Sequence, residues 1–260
     1  MPTFEEYPNR KRNEDLIAYN PDNKDYTYSA DDLISFYDDK NISTLLLINP
    51  DNPSGNYILK NDVFKIAKWA EKRKIRLIVD ESFVDFVDKE ECPTLINEDI
   101  INDYPQLIVI KSISKSFGVP GLRLGVMVCN DLDIINYIKK DVSIWNINSF
   151  AEFYMQIFEK YKGDYEDGIK KFKEIRKKYI VELSEIKSLR VVPTQANYVL
   201  CEILDKYTAR ELTRILLDEY NIFIKDLSTK KGFKGQFVRL AIKRPEENDK
   251  LIKALETILK

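Results

Sequence analysis

Four short runs of apolar residues, unbroken by polar ones, set the tightest limit on how this chain can fold. They are Leu45-Leu46-Leu47-Ile48, Leu77-Ile78-Val79, Leu107-Ile108-Val109-Ile110 and Val126-Met127-Val128-Cys129. A strand with one wet face alternates apolar and polar side chains, whereas a continuous run implies that both sheet faces are covered. Helical patterning lies between the first two runs. Over residues 61–73, Val63, Ile66, Ala67 and Ala70 share one helical face. Buried strands alternating with helices predict a layered α/β fold.

The second half reads differently. From 164 to 186, apolar residues fall at Ile169, Phe172, Ile175, Tyr179, Leu183 and Ile186, with gaps of 3, 3, 4, 4 and 3. That spacing describes one long amphipathic helix, expected to join two domains. After it come strands expected at 189–192, 197–203, 222–224 and 237–242, and helices at 209–220 and 245–259. Pro245 suits the first helical position, and Glu246, Glu247 and Asp249 suit the positive end of the helix dipole. A chain of 260 residues accommodates one large domain or two smaller ones, at roughly 150 residues each. The expected organisation is a large α/β domain over 1–163 and a smaller α+β domain over 164–260.

Composition narrows the chemistry. There are no histidines, which excludes histidine triads, histidine-ligated zinc and histidine acid–base work. Lys plus Arg is 41 against 43 Asp plus Glu, a net charge of −2, so charge gives no reason to expect nucleic acid or an anionic membrane. Three separated cysteines, Cys92, Cys129 and Cys201, favour neither a disulfide framework nor a thiol metal site, and point to a reducing, cytoplasmic setting. No apolar run approaches the roughly 18 residues that cross a bilayer. The start, Met-Pro-Thr-Phe-Glu-Glu-Tyr, has no signal-peptide core. It is also abrupt, without polar lead-in or cap, which suggests that the chain begins inside a larger domain.

Three polar segments follow the first three strands, at the sheet edge where open α/β folds bind ligands. Asn49-Pro50-Asp51-Asn52-Pro53-Ser54-Gly55 is a rigid loop that aims Asn52 above its strand, though alone it reads sooner as an ordinary tight turn. Asp80-Glu81-Ser82-Phe83 puts a carboxylate at the end of a buried strand, where it needs a cation or several donors. A helix cap or structural ion pair would also account for it. Ser112-Ile113-Ser114-Lys115 is followed by Gly118, Gly121, Arg123 and Gly125. Hydroxyl and guanidinium donors fit a phosphate, and a lysine near another cation is the better nucleophile. A basic surface loop is the bland alternative. Together, a carboxylate, an amide, a phosphate cradle and a lysine match pyridoxal phosphate, whose aldehyde takes a lysine and whose ring nitrogen takes an acid.

On these motifs the sequence resembles the class I/II aminotransferases of the fold-type I pyridoxal-phosphate superfamily, from about Pro2 to Lys260. Its nearest branches are the histidinol-phosphate aminotransferases and the threonine-phosphate decarboxylases. The resemblance implies a three-layer large domain, incomplete at its N-terminus, a smaller C-terminal domain and a homodimer. It implies that Lys115 forms the Schiff base and shuttles a proton, and that Asp80 pairs with the pyridine nitrogen. Asn52 would bond the ring oxygen, while Ser112, Ser114 and Arg123 hold the phosphate. Phe4, in Pro2-Thr3-Phe4, would stack on the ring. Arg239 would grip the substrate α-carboxylate, and Asn197, in Gln195-Ala196-Asn197-Tyr198, would lie near it. Without the resemblance, Arg239 reads as a solvated strand residue and Asn197 as a turn residue.

Two departures stand out. The family usually has Tyr three residues after the aspartate, and here that position is Phe83, which some decarboxylase-like members share. The family also carries roughly a hundred more residues before Pro2-Thr3-Phe4, about a small domain. The expected activity is an aminotransferase moving an amino group between an amino acid and a 2-keto acid. The alternatives are a threonine-phosphate-like decarboxylase, a non-catalytic ligand-sensing domain, or a fragment that holds no cofactor without its N-terminal portion.

Overall fold

The computed structural model describes residues 3–10 and 16–259. Pro2 and Lys260, the ends of the expected resemblance, lie outside the described residues. In chain order the elements are α1 (Glu6–Asn9), α2 (Ala30–Tyr37), β1 (Thr44–Ile48), α3 (Lys60–Lys72), β2 (Arg76–Asp80), α4 (Glu98–Asp103), β3 (Leu107–Ser112), β4 (Gly125–Cys129), α5 (Leu132–Asp141), α6 (Ser149–Phe158), α7 (Lys162–Ser184), β5 (Leu189–Val192), β6 (Tyr198–Ile203), α8 (Ala209–Tyr220), β7 (Lys225–Asp226), β8 (Gln236–Ala241) and α9 (Pro245–Ile258). They form two compact units. A central unit comprises Tyr28–Pro50 and Ile58–Lys170, and a C-terminal unit comprises the described residues of Met1–Thr27, Asp51–Tyr57 and Lys171–Lys260. Among the described residues, no helix is long and apolar enough to cross a membrane.

The central unit is built on a four-stranded sheet ordered β1-β2-β3-β4. β1, β2 and β3 run parallel, with Leu45 beside Leu77 and Leu77 beside Leu107. Leu77, Val79 and Val109 are fully buried, as continuous apolar runs require. Each such side chain contributes about 1.5–3 kcal/mol by leaving water. α3 buries Val63, Ile66, Ala67 and Ala70, the face read from the sequence. The fourth run differs from the first three. β4 pairs antiparallel with β3 and, among the described residues, has no second neighbour in the sheet. Val126 is 41% exposed. The following helices are capped by Asp131 and Asn148 and leave Leu132, Tyr137, Phe150 and Phe153 exposed.

The C-terminal unit carries an antiparallel sheet ordered β5-β6-β8-β7. Its core joins Val199 and Cys201 of β6, Val238 and Leu240 of β8, Tyr179 and Leu183 of α7, Leu212 and Leu216 of α8, and Leu251 and Leu255 of α9. A reciprocal cap between Thr208 and Glu211 starts α8. The strand expected at 222–224 does not form. Asn221 takes the left-handed conformation at the end of α8, and Ile222 N–H donates to Leu216 O at 2.9 Å. The chain is thus bound back to the helix, and pairing with β8 begins only at Lys225, opposite Arg239.

One glycine fixes how the loop Asp51–Tyr57 is held in this unit. Gly55 has φ +75°. Its N–H donates to Asp51 O at 2.7 Å, and its carbonyl accepts from Gln195 N–H at 2.9 Å. A Cβ added there would lie 1.9 Å from Thr194 Oγ1 and 3.0 Å from Thr194 Cα. Gly55→Ala is therefore expected to lower stability by about 1–3 kcal/mol, from backbone strain and overpacking together. Urea unfolding measures this, and an unchanged midpoint would contradict the close approach.

Candidate active site

Three parallel strands bring the first polar segments to one edge of the central sheet. Asn49, directly after β1, is buried and grips Ile58, donating to its carbonyl and accepting from its N–H, each at 2.9 Å. Its own N–H donates to Asp80 O at 2.9 Å. Asp80 closes β2 and is 7% exposed. Its Oδ1 accepts from Ser82 N–H at 2.9 Å and from Ser82 Oγ at 2.5 Å. Ser82 Oγ in turn accepts from Ser112 N–H at 3.1 Å. The hydroxyl thus ties the aspartate to the end of β3, bringing together two of the sequence-derived candidates.

Beyond Ser112, the Ser114 side chain is buried at 4% exposure, and its Oγ has no hydrogen-bond partner among the described residues. Lys115 is exposed, and its Nζ makes no hydrogen bond or ion pair with any described residue. Arg123 takes the left-handed conformation, φ +56°, and donates from Nη1 to Pro120 O at 3.1 Å. The donors expected to hold a phosphate therefore lie in one loop, with a buried hydroxyl unsatisfied and an amine uncommitted.

Other candidates belong to the C-terminal unit, which brings two of them into contact. Arg239 Nη1 donates to Asn52 Oδ1 at 2.6 Å, and its guanidinium lies 4.9 Å from the centre of the Tyr198 ring. Tyr198 hydroxyl donates to Asp51 O at 2.7 Å. The Asn52 side-chain oxygen is thus taken by Arg239, while its Nδ2 donates to no described residue. Arg239 is accordingly not a solvated strand residue but half-buried and aimed. Asn197 is half-buried, with its carbonyl accepting from Ile242 N–H at 3.1 Å. Phe4 is 44% exposed and meets Tyr7 edge-on, ring centres 5.9 Å apart.

Two acids had no role assigned from the sequence. Asp51 is buried, its Oδ2 accepting from Ser54 Oγ at 2.6 Å, and burial pushes its pKa from 3.8 up to about 6. Glu81 is 1% exposed. It accepts from Thr94 Oγ1 and from Leu95 N–H, each at 2.6 Å, anchoring the segment after the β2 turn. Burial raises its pKa from 4.5 to about 7, against the two donors, which favour the charged form. Nothing in the one-dimensional pattern separates Glu81 from its neighbour Asp80; only the fold shows which donors each one meets.

Comparison with known proteins places these features in a wider set. The model of the family "Aminotransferase class I and II" matches residues 2–255. The L-serine phosphate decarboxylase of Sulfurospirillum multivorans is 32% identical over 270 aligned residues, covering all of this chain and 67% of that protein. The histidinol-phosphate aminotransferase structure from Clostridium acetobutylicum superposes with a TM-score of 0.88 at 30% identity, over 99% of this chain and 75% of that one. The L-threonine-O-3-phosphate decarboxylase structure from Porphyromonas gingivalis superposes with a TM-score of 0.83 at 27% identity, over 100% and 75%. This chain thus spans two-thirds to three-quarters of the length of these proteins.

The raised pKa of Glu81 has a measurable consequence. Between about pH 4.5 and 7 the folded state holds the Glu81 proton while the unfolded chain releases it. This contribution to stability is fully present below pH 4.5 and is lost as pH rises through 7. Relative to Glu81→Gln, the parent protein is therefore expected to be more stable at pH 5 than at pH 7.5. Urea midpoints of both proteins at the two pH values measure the difference; a pH-independent gap would contradict burial as the controlling effect.

Proposed function

This chain belongs to the class I and II aminotransferase family, whose cofactor is pyridoxal 5′-phosphate, and on that premise we propose that it decarboxylates an O-phosphorylated amino acid of the phosphoserine type. The observation that carries a pyridoxal-phosphate site is Ser114. A buried hydroxyl without a partner costs free energy, and a phosphate oxygen would satisfy it. The residues around it fit the same group. When bound, pyridoxal phosphate supplies a carbonyl that condenses with an amine and a ring that withdraws electrons from the bonds at the substrate α-carbon.

The remaining work falls to this chain's side chains. Lys115 is the amine for that carbonyl, and later holds a proton at Nζ and delivers it to the α-carbon. Asp80, oriented by Ser82, keeps a proton at the ring nitrogen. Ser112, Ser114 and Arg123 take phosphate oxygens. In the C-terminal unit, Arg239 receives a substrate carboxylate, with Asn197 beside it, and the free Nδ2 of Asn52 donates to the ring oxygen. Phe4 covers a ring face. Phe83 leaves that ring without the hydroxyl that a tyrosine would offer.

Decarboxylation and transamination need the same parts and differ in which α-carbon bond breaks. The decarboxylase reading draws support from similarity that spans the whole chain: serine phosphate decarboxylases from two organisms match at 32% and 30% identity. This favours the alternative over the aminotransferase expected from the sequence. Transamination stands as a second reading, supported by a histidinol-phosphate aminotransferase of Caldanaerobacter subterraneus, 30% identical over 91% of this chain and 63% of that protein. A homodimer in a reducing cytoplasm completes the proposal.

The full-length protein, loaded with pyridoxal phosphate and given phosphoserine, is expected to release CO2 and phosphoethanolamine. Borohydride treatment should leave a stable pyridoxyl mass on Lys115, and Lys115→Ala should lower turnover by about a thousandfold or more, as expected for a lost covalent nucleophile. Keto-acid formation without CO2 would select the second reading. Absence of the Lys115 adduct in the parent protein would overturn both.

A further inference from the structure

Lys115 is exposed and, among the described residues, unbonded, yet a reactive amine must meet its target in one orientation. What holds it is found on both sides of it along the chain, and one carboxylate accounts for both. Asp85 lies in the short 3-10 turn Val84–Phe86, five residues beyond Asp80. Its Oδ1 accepts from Lys111 Nζ at 2.6 Å, and its Oδ2 accepts from Ser116 Oγ at 2.5 Å. Lys111 is four residues before Lys115, on β3; Ser116 is the residue after it. The side chains of Lys111 and Asp85 are only 13% and 18% exposed, so water does little to loosen the pair.

A second layer reinforces the first. The Tyr165 hydroxyl, near the start of α7, lies beside Asp85 and Ser116; burial, and then the Asp85 charge, hold its pKa above the usual phenol value. The Phe117 ring stacks on Tyr165, centres 4.4 Å apart and 18° from parallel. Lys111 and Ser116 are thus fixed to Asp85, and Phe117 is stacked on the Tyr165 ring beside them. Lys115 alone in this stretch of charged and aromatic side chains is left without a partner.

We infer that Asp85 is a positioning residue for Lys115: it clamps the chain on either side of that amine, and it occupies the neighbouring Lys111 ammonium so that only Lys115 is offered to the cofactor carbonyl. The inference rests on the assignment of Lys115 as the Schiff-base lysine. A purely structural ion pair would contribute stability without choosing between the two amines or setting how fast one of them reacts. Asp85 itself need touch neither cofactor nor substrate.

The test uses the full-length protein stripped of cofactor, its Asp85→Asn variant and its Ser116→Ala variant, which breaks one arm of the clamp. Two readouts separate positioning from folding. The first is the rate at which the visible Schiff-base band appears on adding pyridoxal phosphate. The second is the distribution of borohydride-trapped label between Lys115 and Lys111, read by peptide mass. Asp85→Asn is expected to slow band formation by about 10- to 100-fold, the scale of an ångström-level misplacement, and to divert label to Lys111. Ser116→Ala should slow it less and keep the label on Lys115. An unchanged rate with label on Lys115 alone in Asp85→Asn would overturn the inference. If Asp85→Asn does not fold, an unchanged rate in Ser116→Ala would overturn it, and a slower rate with an unshifted melting temperature would support it. A parent protein that traps no label on Lys115 would remove the premise as well, which distinguishes that failure from a failure of the clamp alone.

Discussion

A carboxylate taken out of water must be met by donors, and the end of β2 carries three carboxylates within six residues. Asp80, Glu81 and Asp85 each solve that problem in a different direction. Asp80 accepts from Ser82, whose hydroxyl reaches on to the backbone of Ser112. Glu81 accepts from Thr94 and Leu95, closing the segment that leads into α4. Asp85 accepts from Lys111 and Ser116, on either side of Lys115. The strand order makes this possible. Because β2 lies between β1 and β3 and all three run the same way, polar residues at its end face the polar ends of both neighbours. The desolvation cost of each acid is offset only if those neighbours hold their places, so satisfying the acids and ordering the β3 loop are one event.

This edge was legible in the sequence because two signals coincide there. Continuous apolar runs mark buried parallel strands, and each run stops at a residue costly to bury. Asp80, Ser112 and Ser114 stand where that reading put them, as do the buried face of α3 and the core of α7. What was not legible depends on partners distant in sequence. Val126 sits in a run as apolar as the others, but its strand pairs antiparallel with β3, and nothing local to the run marks that direction. The run at 222–224 looks like a strand, yet the left-handed Asn221 commits it to the end of α8. The contact between Arg239 and Asn52 spans 187 positions, and spacing carries no trace of it. Asp85 shows the same limit at shorter range: an acid in a turn is unremarkable until Lys111 and Ser116 are seen to close on it.

The relatives sharpen the chemistry through what they have in common. Serine phosphate decarboxylases, a threonine phosphate decarboxylase and histidinol-phosphate aminotransferases all match across most or all of this chain. Their names describe amines that carry a phosphate, while the bond broken at the α-carbon differs among them. Similarity over the chain as a whole therefore constrains the cofactor and the broad reaction class more strongly than it does the outcome. The residues proposed to set the cofactor's electronics, Asp80 with Ser82, belong to the central unit, and those proposed for the substrate carboxylate, Arg239 with Asn197, belong to the C-terminal unit. A change in reaction can arise by re-aiming the substrate while the acid and the lysine stay as they are.

With Lys115 as the proposed Schiff-base lysine, the contrast between it and its surroundings answers opposite demands on one short loop. An amine that condenses with successive carbonyls has to be reachable and uncommitted, and hydrogen bonds to its Nζ would have to be broken at each turn. Its position nevertheless has to be defined, because the entropy of an unfixed nucleophile raises the barrier it must cross. The central unit separates the two demands by residue. Ser114 turns its hydroxyl into the interior, Lys111 and Ser116 are tied to Asp85, and Phe117 is stacked on Tyr165, so the backbone through position 115 is fixed by everything except the side chain at 115. Order is stored in the neighbours and freedom is kept at the reacting atom, an arrangement that a salt bridge to Lys115 itself would defeat.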